Sequence, residues 1–286
     1  MLRRMSRGAA LLLSLLVLGC DDDATDPPPD AGFPLTLRAV NAPLEPALFG
    51  VWGAGDDVIW MVGGTAEADG GVIYRFDGAR LVLEPTPPGP RLWWVWGADA
   101  DHVWACGEGG RILYRRDGAW EDQPTALGEK AILWGLWGRA ADDLWAVGGS
   151  IRPGGPKGVV MHADSTGAWT RVDDAALPPD LSLYKVWGAP GGPLHVVGEG
   201  GVTLTLTDAT WARHDVGVLD LLFTVHGAAA GPTLTVGGLT EGLVFRWAGA
   251  AWAPEPVAGA PPLNGVVVGP DGTALAVGAR GVMLHR

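Results

Sequence analysis

The side chains able to do chemistry are scattered through this chain. Six histidines, His102, His162, His195, His214, His226 and His285, show none of the short spacings that a zinc site needs. Neither Gly-x-Ser-x-Gly, nor a Walker loop, nor His-Glu-x-x-His occurs, so no catalytic constellation, cofactor or metal is expected. Two carboxylates, Asp180 and Asp220, stand just ahead of similar hydrophobic runs and could in principle pair as general acid and base on a glycan. Binding chemistry is better supplied. The chain holds 15 tryptophans, whose faces stack on sugar rings or bury against a protein partner. Glu45, Arg91, Lys130, Asp180 and Asp220 each precede such a run, and Arg152 and Lys157 lie in the Pro- and Gly-rich loop 148–158.

The elements that would position these residues repeat. One phrase reads Leu92-Trp93-Trp94-Val95-Trp96-Gly97, then His102-Val103-Trp104-Ala105-Cys106-Gly107, then Ile112-Leu113-Tyr114, then Asp117-Gly118-Ala119-Trp120. First strands aligned on it begin at Leu48, Leu92, Leu133, Leu183, Leu222 and Leu263, a period of about 40 residues. A second landmark follows at a fixed distance, at Trp60, Trp104, Trp145, His195, Leu234 and Leu275. The second strand then ends at Gly63, Gly107, Gly148, Gly198, Gly237 or Gly278, and Trp120, Trp169, Trp211 and Trp252 mark fourth strands.

Four short strands per unit at this period describe an all-β, six-bladed β-propeller. The last unit stops after a third strand, and Phe33 to Val40 is a strand-like run placed where its fourth strand would stand. Supplying that strand from the N-terminal side would close the ring and remove an open edge. The repeats resemble bacterial Trp- and Gly-rich propeller repeats related to Asp-box (sialidase-type) and photosystem II assembly factor-like propellers, on the Val-Trp-Gly strand ends and the Asp117-Gly118-Ala119-Trp120 turn. Arg115 stands where a full Asp box has serine, so the resemblance implies a structural repeat and no sialidase site.

Slots sort the tryptophans. Eleven fall in three recurring slots and read as packing between blades. Trp93 and Trp134 share a slot with Phe49, Tyr184 and Phe223 and read the same way. Trp94 and Trp247 break the pattern and are the expected exposed aromatics. His195 and His226 replace Trp in their slots and read as packed imidazoles, and Cys106 replaces valine and reads as a buried thiol.

Ahead of the repeats, Met1 to Arg7 is basic, Ala9 to Leu18 is apolar, and the run ends Val17-Leu18-Gly19-Cys20. This resembles a bacterial lipobox, which implies a signal peptide over 1–19 and lipidation of Cys20. Residues 20–32, acidic and rich in proline, read as a tether, and 33–286 as the propeller. The expected place is the membrane, reached by export, on the periplasmic face or at the outer membrane or cell surface. The formal charge of −12 would repel phosphate backbones, so nucleic acid is not an expected partner. The expectation is a monomeric, membrane-anchored lipoprotein whose propeller is a non-catalytic binding or assembly module for an envelope protein or glycan. Its binding face would carry Glu45, Arg91, Lys130, Asp180, Asp220, Arg152, Lys157 and Trp94. Two alternatives stay open: a carbohydrate-binding propeller using Trp94 and Trp247, and a glycan hydrolase or lyase using Asp180 and Asp220.

Overall fold

The computed structural model describes residues 44–286. They form six consecutive antiparallel sheets, a six-bladed β-propeller. Blade 1 runs Ala47–Gly55, Val58–Gly64, Gly71–Phe76 and Leu81–Leu83, each strand bonded to the one before it. Blades 2 to 5 repeat that meander, their first strands being Leu92–Gly97, Ile132–Ala140, Leu183–Gly188 and Leu222–Gly227. Blade 6 contributes Leu263–Val268, Ala274–Gly278 and Met283–His285. The fourth strand expected from Phe33 to Val40 lies outside the described residues, as do the signal peptide, Cys20 and the tether. Among the described residues no helix is long and apolar enough to cross a membrane.

Local sequence explains the hairpins. Asp117 and Gly118 both take positive φ, 53° and 82°, the mirror-image turn that matches the twist of the strands it joins. Blade 4 makes the same turn with Asp208 and Ala209, at 47° and 64°. Alternation then buries the second-strand landmark in five of the six blades, with Trp60, Trp104, Trp145, His195 and Leu234 all under 6% exposed and Leu275 half-buried.

The Val-Trp-Gly strand ends explain how blades adhere. A Cβ added to Gly97 would lie 2.6 Å from the Trp52 ring of the preceding blade. At Gly138 the clash would be with Trp96, at 2.4 Å, and at Gly227 with Trp187, at 2.6 Å. Each glycine is therefore the bare pad on which the previous blade's indole rests. Where the pad is Gly188, Trp137 instead donates its Nε1–H to the glycine carbonyl at 2.9 Å. One repeat position supplies the indole and the next the glycine in each of these four contacts, which bury aromatic area at the interfaces from blade 1 to blade 5. Gly138→Val should force Trp96 out of its rotamer and destabilise the protein by about 2–4 kcal/mol. A urea denaturation midpoint within error of wild type would refute this role.

Candidate functional site

A β-bulge interrupts the first strand of every blade. The ladder skips one residue between Leu48 and Gly50, Leu92 and Trp94, Leu183 and Lys185, Leu222 and Thr224, and Leu263 and Gly265, with the same skip between Leu133 and Gly135. The residue left out of register is Phe49, Trp93, Trp134, Tyr184, Phe223 or Asn264. A bulge re-aims its extra side chain, and here five aromatics form an arc. Ring centroids lie 4.4 Å apart for Phe49 and Trp93, 4.8 Å for Trp93 and Trp134, 6.1 Å for Trp134 and Tyr184, and 5.9 Å for Tyr184 and Phe223. All five are half-buried, so the arc keeps an accessible edge where the first strands begin. Asn264 leaves it open at blade 6.

Charged groups flank this arc. The turn after each second strand is tied to the start of its own first strand: the Glu108 N–H donates to the Arg91 carbonyl (3.0 Å) and the Glu199 N–H to that of Ser182 (2.9 Å). Both glutamates begin Gly-Gly turns, and Gly200 and Gly201 hold φ of 64° and 67°, which lets that turn fold tightly enough to bring Glu199 back. Arg91 donates to Glu108 at 2.6 Å while its guanidinium carbon sits 5.5 Å from the Trp93 ring centre. Arg152 approaches the other Glu108 oxygen at 3.8 Å. In blade 4, Glu199 accepts from the Ser182 N–H (2.7 Å), Lys157 (2.9 Å) and the Tyr184 hydroxyl (3.2 Å). Burial works against the Glu199 charge, but the Ser182 amide and then Lys157 outweigh it and hold the carboxyl below its ordinary range. Burial, with the Glu199 charge beside it, pushes the Tyr184 phenol well above its usual value, so it stays a donor at physiological pH.

The structure brings several of the expected site residues together. Arg91, Arg152 and Lys157 meet the two glutamates, and Lys130 donates to the Pro153 carbonyl at 3.0 Å, holding loop 148–158 against the blade 2–3 connection. Asp220 accepts from the Leu221 N–H at 2.7 Å. Glu45 and Asp180 are exposed on connections that enter the first strands at the same edge. Among the described residues no hydrogen bond joins Asp180 to Asp220 at this edge, the mouth of the ring of blades. Among the described residues no group of His, Cys, Asp and Glu is placed to hold a metal ion.

The exposed-aromatic expectation is corrected at Trp94. Trp94 is only 6% exposed, because the bulge at Trp93 turns it inward, beneath the Lys185 Nζ. Trp247 is half-buried, set edge-on against His195, His214 and Trp252 at 5.0, 5.0 and 5.4 Å. The aromatics that do reach the mouth are Trp93 and Trp134, read from sequence as packing, with Phe49, Tyr184 and Phe223. Glu108 and Glu199 were legible only as turn residues; their shared place after the second-strand glycine was the available signal. Cys106 is buried, donates to the Leu133 carbonyl at 3.5 Å, and has its thiol pushed up to about 12 by burial.

No protein-family model matches this chain, and no curated protein matches it. Its fold is similar to solved structures. Virginiamycin B lyase from Staphylococcus aureus aligns with a TM-score of 0.64 at 9% identity, over 84% of this chain and 83% of that one. YCF48 from Cyanidioschyzon merolae aligns at 0.63 and 15% identity, over 86% and 84%. A YCF48 structure bound to D1 peptide aligns at 0.53 and 17%, over 68% of this chain and 64% of that one. At these identities the likeness concerns the propeller alone.

Proposed function

We propose that this chain is a non-catalytic binding and assembly module, held at a bacterial membrane by a lipidated Cys20 and working through its channel mouth. The observation carrying this reading is the aromatic arc from Phe49 to Phe223, flanked by Arg91, Arg152, Lys157, Glu108 and Glu199. Partly exposed aromatics beside arginines are the composition of interface hot spots. The ion pairs already satisfy their own charges, so a partner meets a surface that costs little to desolvate at its centre and offers charge at its rim. Similarity to a propeller seen with a bound peptide fits a protein as the partner, which for an anchored module we take to be one of the envelope. Charged side chains of both signs at the rim suit register and specificity more than raw affinity.

The test is a cross-linked pull-down from native envelope with the full chain, comparing wild type, Trp93→Ala with Arg91→Glu, and Cys20→Ala. The mouth variant should recover its partner at least ~30-fold less, the loss expected for a hot-spot residue. The Cys20→Ala protein should leave the membrane fraction. Equal recovery by wild type and the mouth variant would move the binding surface elsewhere, and unchanged fractionation of Cys20→Ala would remove the anchor.

A further inference from the structure

On the end of the disc away from the mouth, a cavity of about 550 Å³ opens between blades 3 and 4. The chain's own repeats act as internal controls and show that the Arg139–Asp143 pair in its polar wall is peculiar to blade 3. Arg139 occupies a position filled by Ala54, Ala98, Ala189 and Ala228 in four other blades. Asp143 replaces Val58, His102, Pro193, Pro232 and Thr273. His162 pairs across the ladder with Trp145 and stacks on it, with ring centroids 4.0 Å apart.

These residues are built into a fixed arrangement. The Asp143 carboxylate accepts from the Arg139 Nε, from the Trp145 Nε1 (2.8 Å) and from the His162 Nε2 (3.0 Å). Burial opposes its charge, but these three bonds prevail and hold the carboxyl below its ordinary range. Donating from Nε2 to Asp143 sets the imidazole tautomer and leaves Nδ1 without a hydrogen bond among the described residues. Holding Arg139 by Nε alone orients the guanidinium and leaves its two terminal nitrogens unbonded among the described residues. Leu206, Trp211 and Pro193 supply an apolar wall, and Thr207 a hydroxyl.

We propose that this cavity binds a small monocarboxylate with an apolar or ring-shaped body. The free edge of a guanidinium is a planar fork that matches a carboxylate, and Asp143 already spends its own charge on keeping that fork in place. The apolar wall accounts for the body of the ligand, and the volume is that of an ordinary small-molecule site. A doubly charged phosphate is disfavoured, since Asp208 also lines the cavity. The site is separate from the channel mouth and stands whether or not the mouth binds a partner.

The experiment is a ligand-observed NMR titration with phenylacetate, its uncharged amide phenylacetamide, and inorganic phosphate, on the full chain. Phenylacetate should saturate, with the amide at least ~10-fold weaker, as expected for losing charge-assisted hydrogen bonds. Arg139→Ala should weaken phenylacetate by a similar factor, while the mouth variant Trp93→Ala binds it as wild type does. Alanine at the matching place in four blades makes Arg139→Ala a conservative probe of the fold, and unchanged far- and near-ultraviolet dichroism would verify that. Arg139→Lys, which keeps the charge and loses the fork, should recover only part of the affinity. The proposal is overturned if phenylacetate never saturates, if the amide binds as well as the acid, if phosphate binds more tightly, or if Arg139→Ala binds unchanged.

Discussion

Acidification from pH 7.5 to 4.5 should strip several kcal/mol from the stability of this protein, and most of that loss should trace to two histidines. His195 and His226 are 1% and 7% exposed, and burial lowers both imidazoles to about 4, with the neighbouring His214 adding to the effect at His195. Above the ordinary histidine range both are neutral in folded and unfolded chains alike, and nothing is lost. As pH falls below about 6.5 the unfolded chain takes up protons that the folded one refuses, so stability declines until about pH 4, where the folded imidazoles also titrate. Each contributes about 3 kcal/mol over that window. His226 adds a structural reason for cooperativity: its Nδ1 accepts the Val268 N–H at 3.0 Å, a bond between blades 5 and 6 that an imidazolium cannot make. Below pH 4, carboxyls held under their ordinary range, such as Asp143 and Glu199, continue the loss. His195→Leu is the discriminating variant, because Leu234 and Leu275 already occupy that slot in blades 5 and 6. Urea unfolding of this variant should show the acid-induced decline reduced by about 3 kcal/mol. Parallel pH curves for variant and wild type would show that His195 does not drive it.

What the sequence made legible was everything governed by the repeat. Strand ends, the Asp117-Gly118 turn and the burial of the second-strand landmarks in blades 1 to 5 follow from period and turn chemistry, and the structure agrees with each. Side-chain direction in the first strand did not follow, because a bulge after its first residue shifts every later position to the other face. That single extra residue exchanged the roles of Trp93 and Trp94. Trp247 is half-buried directly across a hairpin from Trp252, a pairing that slot counting does not see. Arg139, Asp143 and His162 form no motif along the chain, since only the ladder register between Trp145 and His162 joins them. For Arg139 and Asp143 the signal was the departure of one blade from the other five, whereas His162 shares its ladder position with His285 of blade 6.

Replacing Lys185 by methionine should stabilise the protein at pH 7. Lys185 takes the first-strand position held by Gly50, Gly135 and Gly265 in other blades, is 9% exposed, and forms no hydrogen bond or ion pair among the described residues. Its side chain reaches across blade 3, whose matching residue is Gly135, to set Nζ 3.0 Å from the centre of the Trp94 ring. Burial lowers the amine to about 7, against a small opposing pull from Cys106. An amine depressed in this way costs nothing above its unfolded pKa near 10.5, and its penalty grows as pH falls towards 7. At neutral pH that penalty is about 5 kcal/mol, of which the attraction of an ammonium to the indole face returns about 2. Methionine keeps the length and the contact with Trp94 while removing the charge, and should gain about 2–4 kcal/mol, a rise in Tm of roughly 2–4 °C per kcal/mol in a chain of this size. The gain should shrink as the comparison is repeated towards pH 10, where the native amine is neutral. A variant less stable than wild type at pH 7 would mean that the ammonium–indole contact outweighs desolvation, making the Lys185–Trp94 pair a fastener across three blades. A gain that persists undiminished at pH 10 would assign the effect to packing and leave the charge of Lys185 without energetic consequence.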